Sequence, residues 1–366
     1  MDRYRPPAGT PTDLLETPCL LLDLDALEMN YRTVAGLYQG PGAKMRQHAK
    51  NIKAPLLAQM QIWAGGTNGG VCVAKTAEAE VMVEGGIRDV LVTSQVAGEE
   101  KLARLCALAR IASITVAVDD PRQVQALSRV ASRQEVSVGI VIEVNTSMGR
   151  AGVRGPEAAV AIARLAGDLP GVVFRGVMSH QTLPGRPDRE TRLREGTRYI
   201  DTCLAVKAAI EAAGIPVDVV SSGETWTYDV AAQIPGITEV EGGTYALMGT
   251  NYTYMDDFRI AARILCTVIS RPDTHNAIGD VGLLALAGPG GVLPSVDGLP
   301  GVSVAALHDT TIALRSEGPM PLALGDRFLL ISGQQDIMVN RWDQYIAVRN
   351  GLVEAVWDIP ARGCHH

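Results

Sequence analysis

Arg46, His48 and Lys50 recur at every second position within MRQHAKNIKAP, residues 45–55. In an extended strand that spacing turns all three toward one side, three groups that carry or can carry positive charge. Like charges and partial burial favour the neutral form of a lysine amine, and the neutral amine is the form that condenses with a carbonyl to give a Schiff base. Spacing alone leaves a second reading open, a lysine that merely snorkels outward from a strand end. Lys53 falls in the turn that follows and reads as a surface charge or a helper.

Two further stretches, SSGETWT (221–227) and EGGTY (241–245), are rich in Gly, Ser and Thr, the residues whose amides and hydroxyls cradle phosphate. A carboxylate is unfavourable beside a phosphate dianion, so Glu224 is expected to point away or to bind something else. In NTSMGRAGV (145–153) the planar fork of Arg150 could receive a carboxylate or a phenolate oxygen. His180, in GVMSHQT, is a candidate acid or base, with a structural hydrogen-bonding role as the alternative.

These residues sit where a repeating βα pattern would place them. Short apolar runs at 44–49, 70–74, 89–94, 113–119, 136–144, 172–180, 217–223 and 237–243 alternate with segments of helical period such as PRQVQALSRVASR and GPEAAVAIARLAGD. Eight parallel strands in about 200 residues favour a (β/α)8 TIM barrel over an open sheet. In such a barrel chemistry gathers at the C-terminal strand ends, and phosphate commonly binds in the loops after strands seven and eight. After residue 260 the texture becomes β-branched and rich in Gly and Pro, with an Asn-Gly hairpin signal in YIAVRNGLVEAVWDI. The expectation is therefore an α/β protein with a barrel over 20–258 and a second, smaller all-β domain from 1–19 plus 259–366, joined by the early strand in TPCLLLDL.

Composition narrows the class. The chain has 366 residues, 47% hydrophobic and 20% charged, as a globular enzyme does. A net charge of −7 argues against a nucleic-acid partner, because phosphate backbones are bound by Lys and Arg. Six cysteines without CxxC spacing read as reduced, mostly buried thiols. The longest apolar run, GDVGLLALAGPGGVL, is too short and too broken to span a membrane. A cytoplasmic enzyme acting on a small molecule is the expectation.

Taken in order, TPCLLLDLDALEMN, MRQHAKNIKAP, GVCVAKTAEAEVMVEGGIRDVLVTSQV, NTSMGRAGV and EGGTYALMGTNY resemble the D-threonine aldolase and D-serine dehydratase family, pyridoxal phosphate enzymes of alanine-racemase-like fold. The resemblance implies pyridoxal 5'-phosphate bound covalently to Lys50, with Arg150 beside the cofactor ring or substrate. It implies Gly223, Thr225, Gly243 and Thr244 around the phosphate, His48 and Tyr245 among the cofactor-binding residues, and His180 as a catalytic group. It further implies retro-aldol cleavage of D-3-hydroxy amino acids, with dehydratase, racemase or transferase chemistry, or a non-catalytic pyridoxal phosphate carrier, as alternatives. A homodimer belongs to the same expectation.

Three departures from the family pattern stand out. Its divalent metal is held through His-x-Cys or His-x-Asp, and the matching positions here are Gln334 and Asp336, so the histidine is missing. An amide oxygen is a poorer ligand than imidazole for a transition metal and is acceptable for a harder ion. Gln47 stands where the family has proline, and Trp226 is expected to reshape the pocket.

Overall fold

The computed structural model describes residues 4–287 and 292–366, so residues 288–291 of the long apolar run lie outside the described residues. The chain divides into two compact units, one made of Met1–Tyr31, Asn51–Lys53 and Thr244–Gly363, the other of Arg32–Lys50, Ala54–Gly243 and Cys364–His366. Residues 20–31, the short segment after Lys50 and residues 244–258 group with the sheet unit.

The sheet unit opens with β1 (Cys19–Asp23), which leads into helix α1 (Leu24–Leu37). The barrel unit is a closed ring of eight parallel strands: β2 (Lys44–His48), β3 (Thr67–Val73), β4 (Asp89–Val92), β5 (Ser113–Val118), β6 (Val138–Glu143), β7 (Val172–Ser179), β8 (Val219–Ser222) and β9 (Glu239–Val240). Each lies inside or across an expected run, and β9 closes the ring by pairing with β2. Between them run α2 (Pro55–Ala64), α3 (Thr76–Glu84), α4 (Glu99–Leu108), α5 (Pro121–Arg133), α6 (Pro156–Asp168), α7 (Arg189–Ala212) and the single turn α8 (Tyr228–Ala231).

Local chemistry explains where the helices start. Asp120 caps α5 by accepting the Arg122 amide at 2.8 Å, Gln123 reaches back to the Asp120 amide at 3.2 Å, and Pro121 occupies the first turn. Asp188 caps α7 in the same way through the Thr191 amide at 2.8 Å. Leu91, Ala117, Val141 and Met178, one from each of four neighbouring strands, pack with Cys72 in a single buried cluster. Between β7 and β8 the backbones approach so closely that a Cβ on Gly176, at φ +152°, would fall 1.9 Å from the Val219 carbonyl oxygen.

In the sheet unit, β1 pairs antiparallel with β10 (Ala262–Ser270) and parallel with β16 (Gln344–Arg349). The strand order continues through β11 (Asn276–Gly279), β14 (Ile312–Ser316) and β13 (Val302–Leu307) on one side and β17 (Leu352–Asp358) on the other. β15 (Arg327–Ile331) pairs with both β10 and β12 (Ser295–Asp297), and α9 (Gln335–Val339) precedes β16. Asn350 and Gly351, at φ +50° and +74°, form the tight turn of the last hairpin, as their pairing in the sequence predicted.

Five of the six cysteines are buried, and none is in a disulfide. No helix among the described residues is long and apolar enough to cross a membrane.

Candidate active site at the barrel strand ends

The C-terminal strand ends gather an amine, two imidazoles, a guanidinium and three carboxylates. Lys50 follows β2, with the His48 ring one step below it, its Nε2 3.2 Å from Thr93 Oγ1. Among the described residues Lys50 Nζ makes no hydrogen bond or ion pair, although its charge acts on both His180 and Glu224.

Arg46 does not join them. It points to the opposite end of the barrel, where its Nε donates to Glu239 at 2.9 Å and its two terminal nitrogens grip Asp89 at 3.0 and 3.2 Å. The expected row of three cations at the mouth is therefore corrected to one cation at each end with a histidine between. Alternation fixes which side of a strand a residue faces, but not whether a long side chain rises or descends from there. Lys53 departs from expectation as well: it is buried, at φ +50°, and its carbonyl accepts the Ala361 amide at 3.0 Å.

The loops after β8 and β9 are laced to each other. The Glu241 amide donates to the Gly223 carbonyl at 3.1 Å, the Gly243 amide to Thr225 Oγ1 at 3.3 Å, and the His48 amide to the Gly242 carbonyl at 2.7 Å. Gly223 is needed there, because at φ +106° a Cβ would meet Ala231 Cβ at 2.8 Å and Val240 Cγ1 at 3.1 Å. These two loops, held together at the strand ends beside the uncommitted amine of Lys50 on the neighbouring strand, lie where pyridoxal phosphate would be held.

Thr244 and Tyr245 belong to the sheet unit. Thr244 Oγ1 accepts a hydrogen bond from Asn51 at 3.4 Å, and the fully buried Tyr245 ring packs on Tyr31 and Phe258 with centroids 6.2 and 5.9 Å away. Trp226 is buried edge-on against Tyr199, and its carbonyl accepts Arg192 at 2.8 Å.

Arg150 sits in a loop stapled at both sides, where Asn145 accepts the Gly149 amide at 2.9 Å and Asp119 the Gly152 amide at 2.7 Å. Its side chain is half exposed, with Nη2 3.8 Å from the buried Glu143. Burial pushes the Glu143 carboxyl up, against a hydrogen bond donated by Gln95 and the Arg150 charge.

His180 follows β7. Its Nδ1 lies 3.3 Å from Glu224 Oε1, and the same oxygen accepts the Gln181 amide at 2.6 Å. Burial, then Lys50 and Arg150, depress the imidazole to about 3. Burial lifts Glu224 to about 7 against the pull of Lys50, the Gln181 amide and Arg150. Composition gave no signal for this pair, whose members are 44 residues apart.

Deeper in the barrel, burial lifts Glu241 to about 8 despite a 2.7 Å hydrogen bond from Ser221, with Glu239 and Glu224 adding to the rise. A carboxyl raised in the folded state favours folding below its ordinary value of 4.5 and loses that contribution as pH climbs through 8. Glu241→Gln is therefore expected to match wild type in urea denaturation at pH 5 and to exceed it at pH 9 by about 2–4 kcal/mol.

Gln334 stands at the N-cap of α9, and Asp336 Oδ1 accepts the Ile337 amide at 3.0 Å. No group of three His, Cys, Asp or Glu among the described residues could hold a metal ion. One amide and one carboxylate do not fit a transition-metal site.

The family model for the alanine racemase N-terminal domain matches residues 22–250, and a serine dehydratase domain model matches residues 261–348. A 3-hydroxy-D-aspartate aldolase of Paracoccus denitrificans is 34% identical over 95% of this chain and 92% of its own. A D-threonine aldolase of an Arthrobacter species is 32% identical over 98% and 96%. The crystal structure of D-threonine aldolase from Filomicrobium marinum superposes with a TM-score of 0.94 at 30% identity, over 99% of this chain and all of that one.

Proposed function

The chain belongs to the alanine racemase N-terminal domain family, and from that premise we propose that it is a pyridoxal-phosphate-dependent aldolase that cleaves D-3-hydroxy amino acids to glycine and an aldehyde. The observation that carries this reading is Lys50, an amine at a strand end with no partner among the described residues, beside two glycine-rich loops. A merely structural lysine would be expected to use its charge in an ion pair, as Arg46 does.

Lys50 would hold the cofactor covalently, and Gly223, Thr225, Gly243 and Thr244 its phosphate, with His48 and Tyr245 as further members of the binding set. When bound, pyridoxal phosphate supplies an acceptor for the electron pair left on Cα. His180 takes the proton from the β-hydroxyl, so that the oxygen forms a carbonyl as the Cα–Cβ bond breaks. Lys50, released when the substrate amine takes its place, would carry a proton back to Cα, completing glycine. The exposed fork of Arg150 receives the substrate carboxylate. Gln334 and Asp336 offer too few donors for a transition metal, while an amide oxygen and a carboxylate are acceptable to a harder ion.

Incubation with D-threonine, D-phenylserine and 3-hydroxy-D-aspartate tests the reading. Aldehyde plus glycine is expected, with the L-enantiomers untouched. A 2-oxo acid with ammonia would make the protein a dehydratase, and inversion at Cα a racemase. The proposal extends to a cytoplasmic homodimer, supported by the free cysteines and by the family resemblance respectively, and light scattering tests the dimer.

A further inference from the structure

The carboxylate that the phosphate reading could not use is the one that meets His180. We propose that Glu224 is a positioning residue that sets the tautomer of His180, holding the imidazole proton on Nδ1 and leaving Nε2 as the acceptor for the substrate's β-hydroxyl proton. This rests on the aldolase reading above for the identity of the proton, and on the geometry alone for the tautomer.

The geometry fixes both partners. Glu224 Oε1 lies 3.3 Å from His180 Nδ1 and accepts the amide of the next residue, Gln181, at 2.6 Å. The Glu224 amide donates to Thr227 Oγ1 at 2.8 Å, and the His180 carbonyl accepts Thr146 Oγ1 at 3.3 Å, so each residue is also held through its backbone. Both side chains are close to 14% exposed, which leaves the ring some access to solvent or substrate. The other charged groups acting on the pair are Lys50 after β2, Arg150 after β6 and Glu241 after β9.

The neutral imidazole has two tautomers, and the protonation state of Glu224 selects between them. His180 is unprotonated throughout the physiological range, since it is depressed to about 3, while Glu224 titrates at about 7. Above that, the carboxylate accepts from Nδ1–H and the Nε2 lone pair is free to take a proton. Below it, the carboxylic acid donates to Nδ1, the ring proton moves to Nε2, and the base is lost.

Glu224→Gln separates these cases. The Gln181 amide needs an acceptor at the Oε1 position, so the variant's amide oxygen stays there, facing Nδ1, at every pH. The expected result is that kcat of wild type falls on an acid limb near pH 7, while Glu224→Gln keeps its rate between pH 6 and 8 with no such limb. Glu224→Ala, which frees the ring to adopt either tautomer, is expected to lose about 10²-fold in kcat with little change in KM.

A readout independent of turnover is the pair of ring 15N shifts in histidine-labelled full-length protein, assigned with His180→Asn. Wild type should show Nδ1–H at pH 8.5 and Nε2–H at pH 5.5, and Glu224→Gln should show Nδ1–H at both. An unchanged tautomer in wild type across that range, or an acid limb that survives in Glu224→Gln, overturns the proposal. Tautomer exchange without cleavage of any 3-hydroxy amino acid would overturn the reaction assigned above and leave the relation between Glu224 and His180 standing.

Discussion

Lys50→Ala is expected to lower the rate of retro-aldol cleavage by on the order of 10³-fold or more, an increase of at least ~4 kcal/mol in the barrel enzyme's activation free energy. The same change should leave stability almost untouched, because Nζ makes no hydrogen bond or ion pair among the described residues that the alanine would break. The combination is diagnostic. A structural lysine would show the reverse, intact chemistry with a lower melting temperature. Borohydride reduction of the wild-type holoenzyme should fix a pyridoxyl group on the peptide containing Lys50, and mass spectrometry of the variant should find none. Lys50→Arg should be equally inactive, since it keeps the charge at the strand end but loses the amine. A further effect follows from the electrostatics. Lys50 lowers both Glu224 and His180, so its removal should move the titration of that pair upward.

At the other end of the barrel, Arg46→Ala is expected to cost about 3–5 kcal/mol of stability. Arg46 is buried with side-chain exposure of 8%, and it neutralises Glu239, exposed by 6%, and Asp89, exposed by 37%. Removing the guanidinium strands Glu239 as an uncompensated buried charge, whose other oxygen accepts, among the described residues, the Asn68 side-chain amide at 2.7 Å. Neutralising that carboxylate at the same time should recover part of the loss, so Arg46→Met with Glu239→Gln is expected to be more stable than Arg46→Met alone. Chemical denaturation of wild type, Arg46→Met, Glu239→Gln and the double variant gives the coupling directly. Because these groups lie at strand starts, the double variant should retain its ability to bind cofactor.

The eight barrel strands were legible because parallel strands buried on both faces are written as short runs of Val, Ile, Leu and Ala, punctuated by helical period. The return of the early strand to the sheet unit was equally legible: CLLLD has no helical period and precedes the first βα unit. Depth was not. Arg46 and Lys50 share a face by alternation, yet one reaches down to Asp89 and Glu239 and the other stands at the strand end. Nor could sequence show that Trp226 would turn toward α7, or that Lys53 would be buried, since both depend on what packs around a loop. The partnership of His180 with Glu224 joins positions 44 residues apart, and nothing within either local stretch announces it.

The pairing of β1 has a consequence for synthesis. Cys19–Asp23 leaves the ribosome well before its partners, the antiparallel one beginning at Ala262 and the parallel one at Gln344. At about 5–20 residues per second, β1 must wait roughly 10–50 s for the first of these and longer for the second. Val240 completes the barrel before either arrives, so the ring can close while β1 still has an apolar, unpaired edge on both sides. The nascent chain's exposure to chaperones and to misassembly should therefore concentrate on CLLLD, and slowing translation between residues 240 and 350 should lower the soluble yield more than slowing it inside the barrel.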